Sequence, residues 1–139
     1  MLARTVAPGT DFTAQVLLTT ELEAGDVTLV RQGGELTGFA LWHSLPLASG
    51  RPRDELRVLK LVARDLRALE ALVDGLQADA VGERLRRVAI RCQTAFTDAY
   101  LHLVARGFRV HWTDLRMTLP THAESAPQGA GVVLSNWEI

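Results

Sequence analysis

The stretch VAIRCQT at residues 88–94, followed by DAYLHLVARGFRV at residues 98–110, decides the fold of this chain. The first part is an apolar run typical of a buried strand, and the second has the apolar spacing of a helix. Gly107 stands where a left-handed residue ends a helix, and Phe108 follows in the position that folds back onto the last turn. The apolar stripe predicted for this helix consists of Leu101, Val104 and Ala105.

A hairpin, a strand and a helix are predicted before this stretch. Residues 26–42 hold two β-rich runs joined at Gly33 and Gly34, where positive φ angles are easily reached, so they predict a hairpin. Residues 55–62 are apolar on both faces, as in a central strand. Asp65 is placed to cap the next helix, and a helix between two strands predicts parallel pairing through a right-handed crossover. The stripe of this helix is predicted to contain Leu66, Leu69, Val73, Leu76 and Ala80.

The two ends of the chain carry less regular patterns. Residues 12–23 predict a helix, and residues 109–119 predict a further strand. Residues 120–131 predict a polar linker with proline and glycine, and residues 132–139 predict a C-terminal tail or edge strand. A length of 139 residues fits one domain spanning 1–139.

Composition narrows the possible functions. The formal net charge of -1 argues against nucleic acid or an anionic membrane as a partner, because either needs a concentrated positive field. The single cysteine, Cys92, cannot form an internal disulfide, so the cytoplasm is the expected location. No spacing of histidine, cysteine and carboxylate residues predicts a metal site.

The order of these elements resembles the GNAT superfamily of N-acetyltransferases over residues 26–119. The stretch at 88–110 looks like the family's fifth strand and fourth helix, and the GFA step at 38–40 is similar to one common in its second and third strands. Only one helix precedes the hairpin, so the resemblance is to a divergent or shortened member, chiefly to the C-terminal half of the fold. It implies an α+β fold with a mixed central sheet and helices on both faces, in three layers.

The resemblance implies acetyl-CoA as the cofactor, held in the splay between the family's fourth and fifth strands. Family members grip the pyrophosphate with an Arg/Gln-x-x-Gly-x-Gly/Ala turn, where bare backbone amides meet the phosphates. The matching junction here is VARDLRA at residues 62–68, which has no glycine and places the negative Asp65 at the helix start. The residues that the resemblance assigns to cofactor binding are Leu61, Val62, Ala63, Arg64 and Arg67.

The proton donor of the family is also replaced. Many members carry a tyrosine four residues before the glycine of the Gly-Phe pair, and that position here is Leu103. Tyr100 and His102 are the candidate catalytic residues nearby, although helical geometry turns them about 300° and about 100° away from Leu103. His43 and His111 are further candidate bases if their strands line a cleft.

Two functions follow from the resemblance; a third interpretation is a small α+β ligand-binding domain whose order of strands and helices is only coincidentally similar. The first is an N-acyltransferase that moves an acetyl group from acetyl-CoA to a small amine, with a degenerate cofactor loop. The alternative is a catalytically inactive GNAT-like module for binding or dimerisation, which the missing glycine turn and Leu103 favour. A homodimer is predicted, with residues 132–139, including Trp137, burying apolar sheet surface against a second copy.

Overall fold

The computed structural model describes residues 2, 6, 8, 10–115, 117, 119, 121 and 129–135. From residue 10 onward, the described residues form three helices and five strands. In chain order the elements are α1 (Thr13–Glu21), β1 (Gly25–Gln32), β2 (Glu35–His43), β3 (Glu55–Ala63), α2 (Leu66–Gly82), β4 (Arg87–Ile90), α3 (Thr97–Ala105) and β5 (Val132–Ser135).

The strands form one mixed sheet in the order β1-β2-β3-β4, with β5 paired to β3. The hairpin of β1 and β2 turns at Gly33 and Gly34, whose φ angles of 60° and 84° are those that a tight hairpin turn requires. Strand β2 pairs antiparallel with β3, and β3 pairs in parallel with β4 across the α2 crossover. The predicted α+β class and mixed central sheet are therefore confirmed.

Helices cover both faces of the sheet. Successive β2 side chains point to opposite faces, so neighbouring residues of β2 contact different helices. On one face, a Cβ at Gly38 would lie 2.8 Å from Leu72 Cδ1, so α2 approaches the strand closely. On the other face, the Phe39 ring lies 5.7 Å from that of Phe12, just before α1. His43 on this second face bonds to Thr19 of α1. The three-layer arrangement follows from this alternation.

A polar chain ties the hairpin to α2. The indole Nε1 of Trp42 donates to Thr28 Oγ1 at 3.0 Å, and that hydroxyl donates to Asp79 Oδ2 at 2.5 Å. Trp42 and Thr28 are buried, so their polar atoms need these partners. The link holds α2 over the sheet.

The predicted apolar stripes are correct for α2 in large part and wrong for α3. In α2 the buried residues are Ala68, Leu69, Leu72, Val73, Leu76 and Ala80, whereas Leu66, in the first turn, is more than a third exposed. In α3 the buried residues are Ala99 and Leu103, while Leu101 and Val104 are exposed. Helix α3 is apolar on several sides, so its contact with α2 decides which side is buried. At this contact, Arg106 pairs with Asp74 and Glu70 of α2.

The end of α3 follows the prediction. Gly107 has a φ of 90°, and its N–H donates to the Val104 carbonyl at 3.0 Å. The Phe108 N–H donates to the Leu103 carbonyl at 3.1 Å, and its side chain packs against the core. This is the double hydrogen bond of a Schellman motif.

The strand predicted at 109–119 is wrong for the residues that the structure describes. Residues 109–115, 117 and 119 have no strand pairing and are exposed. Strand propensity alone does not form a strand, because it also needs a partner edge and a face to bury. Of the linker predicted at 120–131, residues 121 and 129–131 are described and belong to no helix or strand. No helix in the described part of the chain is long and apolar enough to cross a membrane.

Candidate functional site

The site that the resemblance implies lies where β3 and β4 separate. Their parallel pairing runs from Glu55 opposite Arg87 to Val58 opposite Ile90 and ends there. The register between β2 and β3 shifts next to this point, so Leu59 has no partner in β2. Beyond Leu59, β3 continues to Ala63 without β4. The predicted splay is present in this form.

Strand β5 occupies the edge of β3 that the splay opens. Residues 60–63 of β3 pair antiparallel with Val132–Ser135, in the register Lys60 opposite Ser135 to Ala63 opposite Val132. Because residues 60–63 also pair with β2 along one edge, β5 must lie along the other edge, which β4 uses for residues 55–58. Leu61, Val62 and Ala63, the strand residues assigned to the cofactor, are therefore bonded to the chain's own C-terminal strand.

Strand β5 belongs to the core. Val132 and Leu134 are buried in the main apolar cluster, with Leu134 only 1% exposed. This observation corrects the surface expected for the homodimer, because these two side chains bury against the chain's own sheet. Trp137 lies outside the described residues.

A polar contact joins β5 to the point of separation. Lys60 Nζ donates to Ser135 Oγ at 2.7 Å, and Gln93 Nε2 donates to the Ser135 carbonyl at 3.3 Å. Lys60, the only lysine of the chain, is 7% exposed. Burial lowers the pKa of its ammonium group, because desolvation disfavours the charged form. Sequence patterns alone did not single out this contact, since it joins residues 75 positions apart.

The start of α2 is closed by its own cap. Asp65 Oδ1 accepts from the Ala68 N–H at 2.8 Å, as predicted for an N-cap. That bond, followed by the hydrogen bond and charge of Arg64, lowers the pKa of Asp65. Arg64 also contacts Glu35 Oε2 at 3.5 Å and Gln32 Oε1 at 3.4 Å. Its guanidinium is thus directed to groups at the end of the hairpin.

A cleft of about 550 Å³ lies between the starts of α2 and α3. The approach to β5, residues 129–131, forms its third side. The described charged residues lining it are Asp65, Arg67 and Asp98, and these two carboxylates and one guanidinium give a net charge of -1. Arg67 is the only one of the assigned cofactor residues that lines this cleft.

The candidate acids and bases do not converge on the cleft. Leu103, at the position of the family's tyrosine, is buried in the core. Tyr100 and His102 are half-buried on α3, and neither lines the cleft. His102 Nε2 is buried without a hydrogen-bond partner in the part of the chain that the structure describes. His111 is exposed, with its ring 5.6 Å from that of Trp112.

Cys92 is not activated as a nucleophile. Burial raises the pKa of the Cys92 thiol to about 11, so the reactive thiolate is scarce at neutral pH. Among residues 10–115 and the other described positions, no group of three histidine, cysteine or acidic side chains could hold a metal ion.

His43 has a structural environment that predicts a pH dependence. Its Nε2 lies 2.7 Å from Thr19 Oγ1. Burial, and then the charge of Arg57, lower its pKa below that of a free imidazole, about 6.5. The unfolded chain therefore binds a proton at a higher pH than the folded protein, so the stability that neutral His43 contributes is present above about pH 6.5 and is lost as the pH falls toward the folded pKa.

We expect urea unfolding between pH 8 and pH 5 to show this loss, and His43→Gln to reduce the slope of the free energy of unfolding against pH in that range. Measurement at pH 8 is the control, because His43 is neutral there in both states. A His43 resonance titrating above about 6.5 in the folded protein would contradict the prediction.

Comparison with solved structures supports the α+β fold with its mixed central sheet. TTHA1254 from Thermus thermophilus has a TM-score of 0.63 and 21% identity, covering 86% of this chain and 90% of that chain. A single-site mutant of it has a TM-score of 0.64, covering 85% and 89% at 21% identity. The aminoglycoside N-acetyltransferase AAC(6')-Iy, solved in complex with CoA, has a TM-score of 0.63 and 15% identity, covering 86% and 84%.

This chain has a GNAT-like fold. At these identities the likeness establishes the fold alone. No protein-family model matches the chain, and no curated protein matches it.

Proposed function

We propose that this chain is a GNAT-fold module that does not transfer acetyl groups. The observation that carries the proposal is the pairing of β5 with residues 60–63 of β3. Acetyl-CoA held in the splay needs that strand edge, and in this chain the edge is already paired.

The free energy needed to remove β5 supports the proposal. Val132 and Leu134 are almost fully buried, and burying one aliphatic side chain contributes about 1.5–3 kcal/mol. Displacing both would cost about 3–6 kcal/mol before any backbone hydrogen bond is counted, which weakens an apparent affinity by about 10²–10⁴-fold. A micromolar intrinsic affinity would become submillimolar or weaker.

The end of the splay where the pyrophosphate would lie is also unfavourable for binding acetyl-CoA. The Asp65 carboxylate already accepts the Ala68 N–H, which is one of the amides that a phosphate would need. The described residues that line the adjoining cleft carry a net charge of -1, so a diphosphate would meet repulsion from them. Leu103 supplies no proton for a thiolate leaving group. Each of these features opposes a different step of acetyl transfer.

An N-acyltransferase acting on a small amine with acetyl-CoA is the second candidate. The start of α3 favours it, because no side chain caps this helix end, which lines the cleft of about 550 Å³, and helix starts attract anions. The CoA complex of AAC(6')-Iy belongs to a protein of the same fold. For either candidate we propose the cytoplasm as the location, since a single cysteine requires no oxidising compartment.

Calorimetry with acetyl-CoA and with CoA tests the choice. We expect no heat of binding for the wild-type chain up to about 1 mM ligand. Incubation with acetyl-CoA and a panel of small amines should release no free thiol. Micromolar binding or amine-dependent thiol release would overturn the proposal in favour of the transferase.

A further inference from the structure

The outer edge of β4 is unpaired among the described residues. Strand β4 pairs with β3 along one edge, and no described strand lies along the other. Native proteins commonly protect such edges with charge. Here the flanking arginines are already paired: Arg87 with Asp54 at 3.1 Å, and Arg91 with Asp114 at 2.9 Å. Among the described residues no strand covers this edge, and both flanking arginines are paired with carboxylates, so another strand can pair there without strong repulsion.

An exposed apolar segment begins directly after α3 and reaches this edge. The ion pair of Arg91 with Asp114 places the segment beside the end of β4. Its large apolar side chains and their exposed fractions are Val110 57%, Trp112 63%, Leu115 95%, Met117 91% and Leu119 68%. We refer to residues 109–115, 117 and 119 together with the outer edge of β4 as the β4 surface.

The apolar area of the β4 surface matches that of a dimer interface. A burial free energy of about 1.5–3 kcal/mol at about 25 cal/mol per Å² corresponds to about 60–120 Å² for each apolar side chain. The five side chains therefore present on the order of 400 Å² of apolar area. One partner in a standard interface buries about 800 Å², of which a little over half is apolar. The segment thus supplies most of the apolar area that one side of a stable interface needs.

We propose that the β4 surface is the contact between two copies of this chain. A second copy fits because the surface carries both an unpaired strand edge and a segment rich in strand-forming residues, so one two-fold contact covers both on each partner. This inference does not depend on the proposed non-catalytic role, because it rests on the strand edge and the exposed segment alone. Its test measures association, whereas the test of function measures ligand binding, so each fails separately.

Sedimentation velocity at about 10–100 µM tests the proposal, and we expect the wild-type chain to be a dimer. Leu115→Glu places a charge in the contact and is expected to weaken dimerisation by at least about tenfold. Leu115 is 95% exposed in the single chain, so the far-UV circular dichroism of this variant should match that of the wild type.

Leu47→Glu is the matched control, because Leu47 is a 69% exposed leucine in the loop between β2 and β3. It should leave the dimer intact. A monomeric wild-type chain over this range would overturn the proposal, and so would a dimer that Leu115→Glu does not weaken or that Leu47→Glu dissociates.

Discussion

Replacing Gly25 by alanine is expected to lower the free energy of unfolding by at least about 3 kcal/mol. A Cβ at this position would lie 1.8 Å from the Trp42 carbonyl oxygen and 2.7 Å from His43 Cα. Both atoms belong to the backbone of β2, where His43 is the register partner of Gly25. The clash cannot be relieved by a side-chain rotation and must separate the strands. Urea unfolding followed by circular dichroism measures the loss.

Gly82→Ala provides the control for this experiment. Gly82 is the last residue of α2, and a Cβ there would meet nothing within 4 Å. We expect the free energy of unfolding to change by less than about 1 kcal/mol, in the stabilising direction, because alanine favours the helix. Equal losses in the two variants would show that the close approach of β1 to β2 is not the cause.

Leu134→Ala is expected to destabilise the chain by about 2–5 kcal/mol, because it leaves a cavity where β5 enters the core. Leu134 is nearly fully buried and pairs opposite Leu61 of β3. Leu47→Ala removes the same atoms from an exposed loop leucine and should cost less than about 0.5 kcal/mol. If both variants unfold at the same urea concentration as the wild type, β5 does not occupy the splay in solution.

The same variant separates the two candidate functions. If an acetyl-CoA site lies intact beneath β5, weakening the strand by about 3 kcal/mol should raise the apparent affinity about 100-fold. We expect instead that Leu134→Ala, under conditions where it stays folded, binds acetyl-CoA no better than the wild type. The reason is that Asp65 still occupies the start of α2.

Several local features were predictable because they depend on neighbours in the chain. Paired glycines at 33 and 34 supply the positive φ angles of a tight turn, and Asp65 reaches an amide three residues ahead. Gly107 and Phe108 close α3 with two short-range hydrogen bonds. Each signal needs only a few residues to form, so the sequence pattern contains all of its partners.

Other features depended on contacts that no local pattern contains. Helix α3 has apolar residues on several sides, and its contact with α2 buries Leu103 rather than Leu101. Residues 109–119 have strand propensity, yet the described part of the segment pairs with no strand. The polar contact between Lys60 and Ser135 joins two distant parts of the sheet.

By itself, the sequence determined the α+β fold, the parallel crossover through α2 and the absence of a glycine turn at residues 62–68. Those properties follow from apolar periodicity and from the presence or absence of particular residues at particular spacings. Only the tertiary structure decided that Val132–Ser135 pairs with residues 60–63 of β3, in the edge opened by the splay. A short apolar strand can pair with any free edge, and the edge it takes is set by the packing of Val132 and Leu134 in the core.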